Sequence, residues 1–372
     1  MSALRQANPI LFLPMKVLLP FAWLYAAVMA LRNWLFDCGW LKQRTFPLPV
    51  ISVGNLAVGG TGKTPHTEFI LRLLSRSGLF CGMLSRGYGR TTRGFLEGAG
   101  SSASAIGDEP WQVQHSCSAV RVCVCEDRCA GLDRMLQSGH RPEVVVLDDA
   151  YQHRYVKPGL SVLLTDYASL YCDDAVLPAG RLRESAAGAR RADVIIVTKC
   201  PPHLSRSEQQ RIEERLRPAA HQHLFFSTMA YGNIYNVYPE ANGLTQGTQE
   251  DAPVLHLRKQ RVLLVCGIAR PQAFIDYFRS RCASVEPLTF ADHHRFSSEE
   301  LSHIGRLAEQ VDMVITTAKD AARLSDYELP LALREKLCVQ PIEVKFLNDD
   351  TPKFNQIIID YVTENTRDCA VD

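Results

Sequence analysis

The sequence has almost no excess charge of either sign. Its 41 lysine and arginine residues balance 40 aspartate and glutamate residues, which leaves a formal net charge of +1. Domains that bind nucleic acid usually carry a strong basic excess, so the overall charge indicates no nucleic-acid partner. The 372 residues contain no internal repeat and no low-complexity tract. A chain of this length is typical of two domains.

The sequence also lacks the paired cysteine spacing of a zinc site. Of its 12 cysteines, only Cys123, Cys125 and Cys129 lie close together, and they form no C-x-x-C pair. Cys123 and Cys125 alternate with Val122 and Val124 as in a buried strand, where a free cysteine packs as a small hydrophobic residue. The scattered thiols are typical of a reducing cytosol rather than of a secreted disulfide framework.

The most apolar stretch lies near the N-terminus. Residues 10–31 contain two prolines and a lysine, which disfavours a cleaved signal peptide. Residues 21–36 should form a helix, and Trp23 and Trp34 suit a membrane headgroup region. Three interpretations remain open: a helix docked on a membrane surface, a membrane-spanning helix, or a core helix of the soluble domain. The aromatic residues and basic flanks favour surface docking.

From Pro47 onward, strand-like and helix-like segments alternate, which is typical of a doubly wound, mostly parallel sheet. Strands are predicted over 50–53, 80–85, 120–125, 144–147, 162–165, 194–198, 261–268, 285–290, 313–317 and 339–346. Helices are predicted over 64–76, 127–137, 205–216, 271–280, 298–310 and 353–363. We therefore expect a P-loop NTPase-type α/β fold. A membrane-associated helix is predicted over 1–37 and a phosphate-loop domain over 38–230. A Gly- and Pro-containing hinge is predicted over 231–260 and a smaller α/β domain over 261–372.

The stretch AVGGTGKT follows the first predicted strand and matches a phosphate-binding loop, with alanine in place of the first glycine. Glycines let backbone N–H groups surround phosphate oxygens, the lysine reaches the β- and γ-phosphates, and the last hydroxyl binds Mg²⁺. A helix that starts here also favours anions at its N-terminus. The predicted nucleotide-binding residues are Ala57, Val58, Gly59, Gly60, Thr61, Gly62, Lys63 and Thr64.

A second element, VVVLDD, brings Asp148 and Asp149 to the carboxyl end of a predicted strand. Ligands bind at this edge of open α/β sheets, and a carboxylate here can hold Mg²⁺ as a Walker-B residue does. Gln152 follows closely and is assigned to the same site. A guanine-specificity motif is missing, since Pro201 stands where an aspartate is required after Thr198. ATP is therefore favoured over GTP.

Further polar clusters are less specific. The segments SRGYGR and GDEP fall where strand-to-helix loops are expected, so Arg86 and Arg90 are candidates for phosphate contacts and Asp108 for a hydroxyl. Ordinary turns are the alternative for both segments. The segment FADHHRF has paired histidines, but no further zinc ligand lies nearby in the sequence.

Taken together, the blocks GNLAVGGTGKTP, SRGYGR, GDEP, LDDAYQH, PAGRLRE, FADHHRF and TTAKD resemble the tetraacyldisaccharide 4'-kinases, the lipid A 4'-kinases of Gram-negative inner membranes. The resemblance runs to about Leu324, and Ala150 is a departure where the family usually has glycine. It implies a bilobal enzyme that uses ATP and Mg²⁺ to phosphorylate the 4'-hydroxyl of a tetraacyldisaccharide 1-phosphate. Four acyl chains hold this substrate in the bilayer, so a peripheral position on the cytoplasmic face of the inner membrane is implied.

The resemblance also implies roles for single residues. Asp108 corresponds to the residue that accepts the sugar hydroxyl proton, and His293 to its partner, with His294 as the substitute. Arg181 corresponds to a residue that neutralises phosphate charge. The implied phosphate, metal and substrate contacts come from Lys63, Thr64, Glu109, Asp148, Asp149, Arg86, Gln152 and His294.

Two other functions remain open from the sequence. One is a membrane-associated P-loop ATPase or GTPase that phosphorylates no lipid, and the other is a non-enzymatic nucleotide-binding module. The GDEP and DHH blocks weigh against both, because neither needs a base for a sugar hydroxyl.

Overall fold

A computed structural model describes residues 15–238, 257–268, 271–291 and 294–368. These residues form two units, and each is built from separate stretches of chain. The first unit takes the described residues of Met1–Ile70, Glu143–Met229 and Val344–Asp372, and the second takes those of Leu71–Pro142 and Ala230–Glu343. This division differs from the contiguous domains that the sequence predicts.

The described elements confirm the α/β pattern, with boundaries shifted by a few residues. The strands are β1 Val50–Asn55, β2 Cys81–Ser85, β3 Leu96–Glu97, β4 Arg121–Val124, β5 Val144–Asp148, β6 Leu160–Asp166, β7 Val194–Thr198, β8 His223–Tyr231, β9 Tyr235–Asn236, β10 Arg261–Cys266, β11 Ser284–Thr289, β12 Met313–Thr317, β13 Leu337–Gln340 and β14 Ile342–Phe346. The helices are α1 Met15–Asp37, α2 Lys63–Arg76, α3 Ala103–Ile106, α4 Asp108–Ser116, α5 Arg128–Gln137, α6 Arg206–Leu216, α7 Gln272–Arg279, α8 Ser298–Gln310, α9 Ala318–Leu324, α10 Leu331–Lys336 and α11 Thr351–Asp368.

The first unit is built around a mostly parallel run of strands in the order β14, β8, β7, β6, β1, β5. β1 pairs in parallel with β5 and β6, and Val53 lies opposite Asp148 on one side and Val162 on the other. All residues of β1, β5 and β7 are buried, as expected for parallel strands that are covered on both faces. The carboxyl ends of β1 and β5 therefore lie side by side.

Helix α11 completes the core of the first unit. Phe354 is buried and packs edge-on against Phe225, at a ring-centroid distance of 5.5 Å, and stacks on Phe346 at 4.5 Å. The Tyr361 hydroxyl donates a hydrogen bond to the carbonyl of Val50. The C-terminal helix thus belongs to the phosphate-loop unit and not to the predicted C-terminal domain.

The second unit contains two groups of strands. β10 to β13 pair in parallel within the order β11, β10, β12, β13, β9, and β9 is antiparallel to β13. β2 and β4 are also parallel, with β3 antiparallel on β4. The single strand predicted over 339–346 is two strands, because Pro341 has no N–H to continue the ladder.

Helix α1 has one packed face and one exposed apolar face. Ala22 and Phe36 are buried, whereas Trp23 is 70% exposed and Phe21 is 62% exposed. Within the described chain, the part of α1 from Leu18 to Asp37 is long and apolar enough to cross a membrane, with a mean hydropathy of 1.2. Several large apolar side chains exposed on one helix are typical of a surface that contacts lipid or another protein.

His66 fastens the first turn of α2 inside the first unit. Its Nδ1 lies 2.7 Å from the carbonyl of Gly62, and its Nε2 lies 3.0 Å from the Ser227 hydroxyl. Since a carbonyl only accepts, Nδ1 carries the proton and Nε2 accepts from the serine. Burial lowers the pKa of His66 to about 4, because the charged imidazolium loses its hydration.

We therefore expect the stability of the protein to depend on pH through His66. Between pH 7.5 and 5 the unfolded imidazole binds a proton that the native one excludes, so the free energy of unfolding falls as pH falls, by about 2 kcal/mol from this group. Urea unfolding at both pH values measures the change. His66→Gln should reduce it, whereas the same substitution at the exposed His221 should leave it unaltered. An identical pH response in His66→Gln would contradict the assignment.

Candidate functional site

The phosphate loop joins the carboxyl end of β1 to the amino end of α2. Gly59 and Gly62 have φ of +114° and +85°, a region that side-chain-bearing residues rarely adopt. The predicted nucleotide-binding loop thus has a backbone conformation that favours glycine at these two positions. Helix α2 begins at Lys63. Backbone N–H groups at such a helix start favour a bound anion.

Side chains from neighbouring strands hold this loop in place. Asn55 Nδ2 donates to the Thr61 hydroxyl over 2.9 Å, and the Thr198 hydroxyl donates to the Thr61 carbonyl over 2.8 Å. The Lys199 ammonium contacts the carbonyl of Gly60. Thr61 is buried and is hydrogen-bonded at both its side chain and its backbone, so contacts from neighbouring strands support the conformation of the loop.

The two aspartates after β5 have different surroundings. Asp148 is buried and accepts a hydrogen bond from the Thr67 hydroxyl over 3.1 Å. Asp149 has φ of +46° and is partly exposed, with its carboxylate 3.7 Å from Lys63 Nζ and 3.0 Å from the Arg183 guanidinium. The structure therefore brings the predicted Lys63 and Asp149 together, and Arg183 contacts the same carboxylate.

The PAGRLRE block runs beside the phosphate loop. The amide of Val58 donates to the carbonyl of Arg181 over 2.8 Å, and the amide of Arg183 donates to the carbonyl of Leu56 over 2.7 Å. These hydrogen bonds follow the antiparallel pattern, in which side chains two residues apart lie on the same face of the strand. The backbone of this block thereby supports the loop.

The two arginines of the block have different partners. Arg181, the predicted charge-neutralising residue, is 55% exposed at its side chain and pairs with Asp174 over 3.0 Å, with Ser169 as a further contact. Arg183 instead makes several hydrogen bonds to the Asp149 carboxylate, at 3.0 to 3.3 Å. Arg183 is thus the arginine of this block that lies among the predicted phosphate and metal residues.

A buried carboxylate supports the same region. Glu184 is 1% exposed at its side chain and accepts hydrogen bonds from Asn33 at 2.8 Å, Gln152 at 3.1 Å and Arg191 at 2.9 Å. Gln152, predicted to contact substrate, also donates to the carbonyl of Asn55 over 2.8 Å. Its amide is therefore engaged in linking the end of β1 to Glu184.

Helix α1 also contacts these segments. The Tyr25 hydroxyl donates to the carbonyl of Arg183 over 2.9 Å, and Arg32 donates to the carbonyl of Gln152 over 3.1 Å. Helix α1 thus packs on the backbone that follows the paired aspartates and on that of the PAGRLRE block.

In the second unit, Asp108 and Glu109 begin helix α4. Gly107 precedes them with φ of +98°, which turns the chain sharply into the helix. Asp108 Oδ2 accepts a hydrogen bond from Arg323 Nε over 2.8 Å, and Glu109 lies 3.3 Å from Lys319 Nζ. Both carboxylates line a cavity of about 470 Å³ within this unit. Its lining residues are Tyr88, Gly89, Thr91, Ala103, Ser104, Asp108, Glu109, His294, Arg295, Lys319, Arg323, Asp326 and Tyr327.

The remaining predicted residues are placed as follows. His294 lines the cavity, stacks on Phe290 with a centroid distance of 4.7 Å, and has its Nε2 3.0 Å from a Glu300 oxygen. His293 lies outside the described residues, so its pairing with Asp108 stays a prediction. Arg86 is exposed just after β2.

Sequence reasoning did not assign roles to Arg183, Glu184, Lys319 or Arg323. The first two belong to PAGRLRE and Lys319 belongs to TTAKD. The sequence motifs therefore contain these residues, but they give no chemical reason to assign them a role. Arg323 lies outside every block and is found only through its contact with Asp108.

The sequence and the fold match a family of known proteins. The family model LpxK, tetraacyldisaccharide-1-P 4'-kinase, matches residues 15–363. The tetraacyldisaccharide 4'-kinase of Bacteroides fragilis (strain YCH46) is 46% identical over 360 residues, which cover 95% of this chain and 94% of that protein. The enzyme of the same name from Flavobacterium johnsoniae is 42% identical over 352 residues, which cover 94% of this chain and 98% of its own.

A solved structure agrees with these sequence relatives. The crystal structure titled as the "apo" form of LpxK from Aquifex aeolicus in complex with ATP superposes with a TM-score of 0.70 at 28% sequence identity. The match covers 94% of this chain and 99% of that one. Since the family model and the relatives cover almost the whole chain, this protein belongs to the tetraacyldisaccharide 4'-kinase family.

Proposed function

We propose that this protein transfers the γ-phosphate of ATP to the 4'-hydroxyl of tetraacyldisaccharide 1-phosphate and forms the 4'-phosphorylated lipid A precursor, lipid IVA. The observation that carries the proposal is the phosphate loop of the first unit, with Lys63 and Arg183 both in contact with the Asp149 carboxylate. Family membership supports the acceptor, and the Aquifex aeolicus relative supports ATP as the donor.

The first unit binds the nucleotide in this proposal. Backbone N–H groups of the phosphate loop surround the phosphates, and Lys63 exchanges its contact with Asp149 for the β- and γ-phosphate oxygens. Arg183 neutralises charge that develops on the transferred group. Phosphoryl transfer depends mainly on positioning and charge neutralisation, so preorganised cations supply most of the rate enhancement.

The donor set of this unit fits Mg²⁺. The Thr64 hydroxyl and the carboxylates of Asp148 and Asp149 are hard oxygen ligands, which Mg²⁺ prefers. Thr64 and Asp148 are buried, so their oxygens are directed by the fold rather than by solvent. When bound, Mg²⁺ would neutralise part of the negative charge of the nucleotide phosphates. Glu109 of the second unit is assigned, by family resemblance, a place near this metal.

The second unit activates the acceptor in this proposal. Asp108 accepts the proton of the 4'-hydroxyl as the phosphoryl group arrives, because an alcohol is a poor nucleophile until its proton has an acceptor. His293 is its proposed partner, with His294 as the substitute. The cavity beside Asp108 has both acidic and basic side chains, and its lining includes Arg295 and Lys319. Arg86 is proposed to contact substrate.

Helix α1 brings the enzyme to its lipid in this proposal. Its exposed face presents Phe21, Trp23, Leu24 and Trp34, and tryptophan favours the headgroup region of a bilayer. We propose peripheral docking on the cytoplasmic face of the inner membrane. Because the acceptor carries four acyl chains, a docked enzyme avoids the cost of extracting them, about 0.8 kcal/mol per CH₂.

Transfer of label from γ-³²P-ATP to the disaccharide 1-phosphate in mixed micelles tests the proposed reaction. Lys63→Ala should lower the rate by roughly 10² or more, since a charge that meets the transferred phosphate is lost. Lys345→Ala, at an exposed position of β14, is the matched control. Label released only as free phosphate would indicate an ATPase, and bound ATP with neither hydrolysis nor transfer would indicate a binding module.

The two arginines of PAGRLRE should differ in their effect on catalysis. Arg183→Gln removes the cation beside Asp149 and should lower kcat by roughly 10². Arg181→Gln removes a surface pair with Asp174 and should change kcat far less, because exposed ion pairs contribute little. Steady-state kinetics at saturating acceptor compares the two variants. Equal losses, or a larger loss in Arg181→Gln, would contradict the role given to Arg183.

The exposed tryptophans of α1 should control membrane binding. The double variant Trp23→Ser, Trp34→Ser should bind anionic vesicles at least about tenfold more weakly, because the apolar area that enters the bilayer falls. The apparent KM for bilayer-presented acceptor should rise while the KM for ATP stays constant. Leu331→Ser, at an exposed apolar residue of the second unit, is the control. Unaltered sedimentation with vesicles in the tryptophan variant would rule out docking through this face.

A further inference from the structure

The TTAKD block forms the junction between β12 and α9. Thr317 is the N-cap of α9, and its hydroxyl accepts a hydrogen bond from the amide of Asp320 over 3.2 Å. Asp320 is completely buried in the first turn of the helix. A helix of this length needs no buried charge for its own stability, so the aspartate requires another explanation.

The Asp320 carboxylate is held at both oxygens. Oδ2 accepts from the amide of Gly267 over 2.9 Å and from the Thr317 hydroxyl over 2.7 Å, while Oδ1 accepts from Arg323 Nη1 over 3.1 Å. A buried carboxylate with this many donors is fixed in position. Arg323 therefore has an anchored partner on one side of its guanidinium.

Arg323 uses a different N–H group to reach Asp108. Its Nε donates to Asp108 Oδ2 over 2.8 Å, and the arginine side chain is only 10% exposed. Ala322 beside it is buried in a small apolar cluster with Ile106 and Trp111, so α9 is packed against the helix that carries Asp108. Within the described chain, Asp108 Oδ1 accepts no hydrogen bond, which leaves that oxygen available for a substrate hydroxyl.

We propose that Arg323 is a positioning residue that sets the orientation of the Asp108 carboxylate for the acceptor hydroxyl, and that Thr317 and Asp320 of TTAKD serve to hold Arg323. This inference rests on the proposed function of Asp108 as proton acceptor. One guanidinium joins two carboxylates through separate N–H groups, a geometry that a lysine ammonium on a flexible chain does not reproduce. A displacement of about 1 Å at a reacting group costs about 10² in rate.

The test is a double-mutant cycle on kcat with Arg323→Ala and Asp108→Asn, using saturating ATP and disaccharide 1-phosphate. Arg323→Ala should lower kcat by about 10² and leave the KM for ATP within about twofold. In the Asp108→Asn background it should cause little further loss, since residues that act as one unit lose their effect together. Arg261→Ala, which removes an exposed pair with Asp312 on the same unit, is the control.

Two further measurements separate positioning from a purely structural role. Guanidinium chloride at millimolar concentration should restore part of the kcat of Arg323→Ala, whereas sodium chloride at equal ionic strength should not. Arg323→Lys keeps the charge beside Asp320 and should fold, with kcat still reduced about tenfold because the second hydrogen bond is lost. Thermal unfolding checks each variant.

The outcomes are distinct. An active wild-type enzyme with near-normal Arg323→Ala kinetics, or multiplicative losses in the cycle, would overturn the positioning role and leave the kinase proposal standing. If neither Arg323 variant folds, the residue is required for stability of the fold and the positioning role is rejected. Absence of lipid phosphorylation by the wild type would overturn the proposed function and this inference with it.

Discussion

The pairing of β1 with β5 in parallel register is the constraint on which the nucleotide site depends. With Val53 opposite Asp148, both strands end at the same edge of the sheet. The phosphate loop and the paired aspartates directly follow these strand ends, so they lie next to each other. The buried apolar residues of these strands fix the register, because a shift by one residue would exchange the faces of every side chain.

Charge then organises the edge that this pairing creates. Asp149 contacts two cations, Lys63 from the loop and Arg183 from the PAGRLRE block. Glu184, the next residue along, is buried and satisfied by donors from three other segments. An exposed pair contributes little, but a buried carboxylate with several donors specifies one arrangement of the chain around it. The segments after β1 and β5 and the packed face of α1 are joined in this way.

The sequence predicted those parts of the protein that depend on local chemistry. The phosphate loop, the paired aspartates and most strands are recognisable because glycine geometry and strand burial act over a few residues. Arg183 was not distinguished from Arg181, because residues two apart in an extended segment share one face, and only their partners Asp149 and Asp174 tell them apart. A role for Arg323 could not be predicted, because its contact with Asp108 depends on the packing of α9 against α4.

The predicted domain boundaries differ from the division into two units for a different reason. Phe354 and Tyr361 of α11 pack on the first unit, and composition does not say where an amphipathic C-terminal helix will dock. The contiguous domains predicted from the Gly- and Pro-containing hinge therefore differ from the two units, each of which is built from separate stretches of chain.

The position of α11 bears on the order in which the protein is made. A ribosome synthesises the chain from its N-terminus, so α1 emerges before the strands of both units, and Phe346, Phe354 and Tyr361 emerge after β13. The described strands of the second unit end by Gln340, whereas the phosphate-loop unit lacks part of its aromatic core until α11 leaves the exit tunnel. During translation, the core of the phosphate-loop unit is consequently completed after the strands of the second unit have been made.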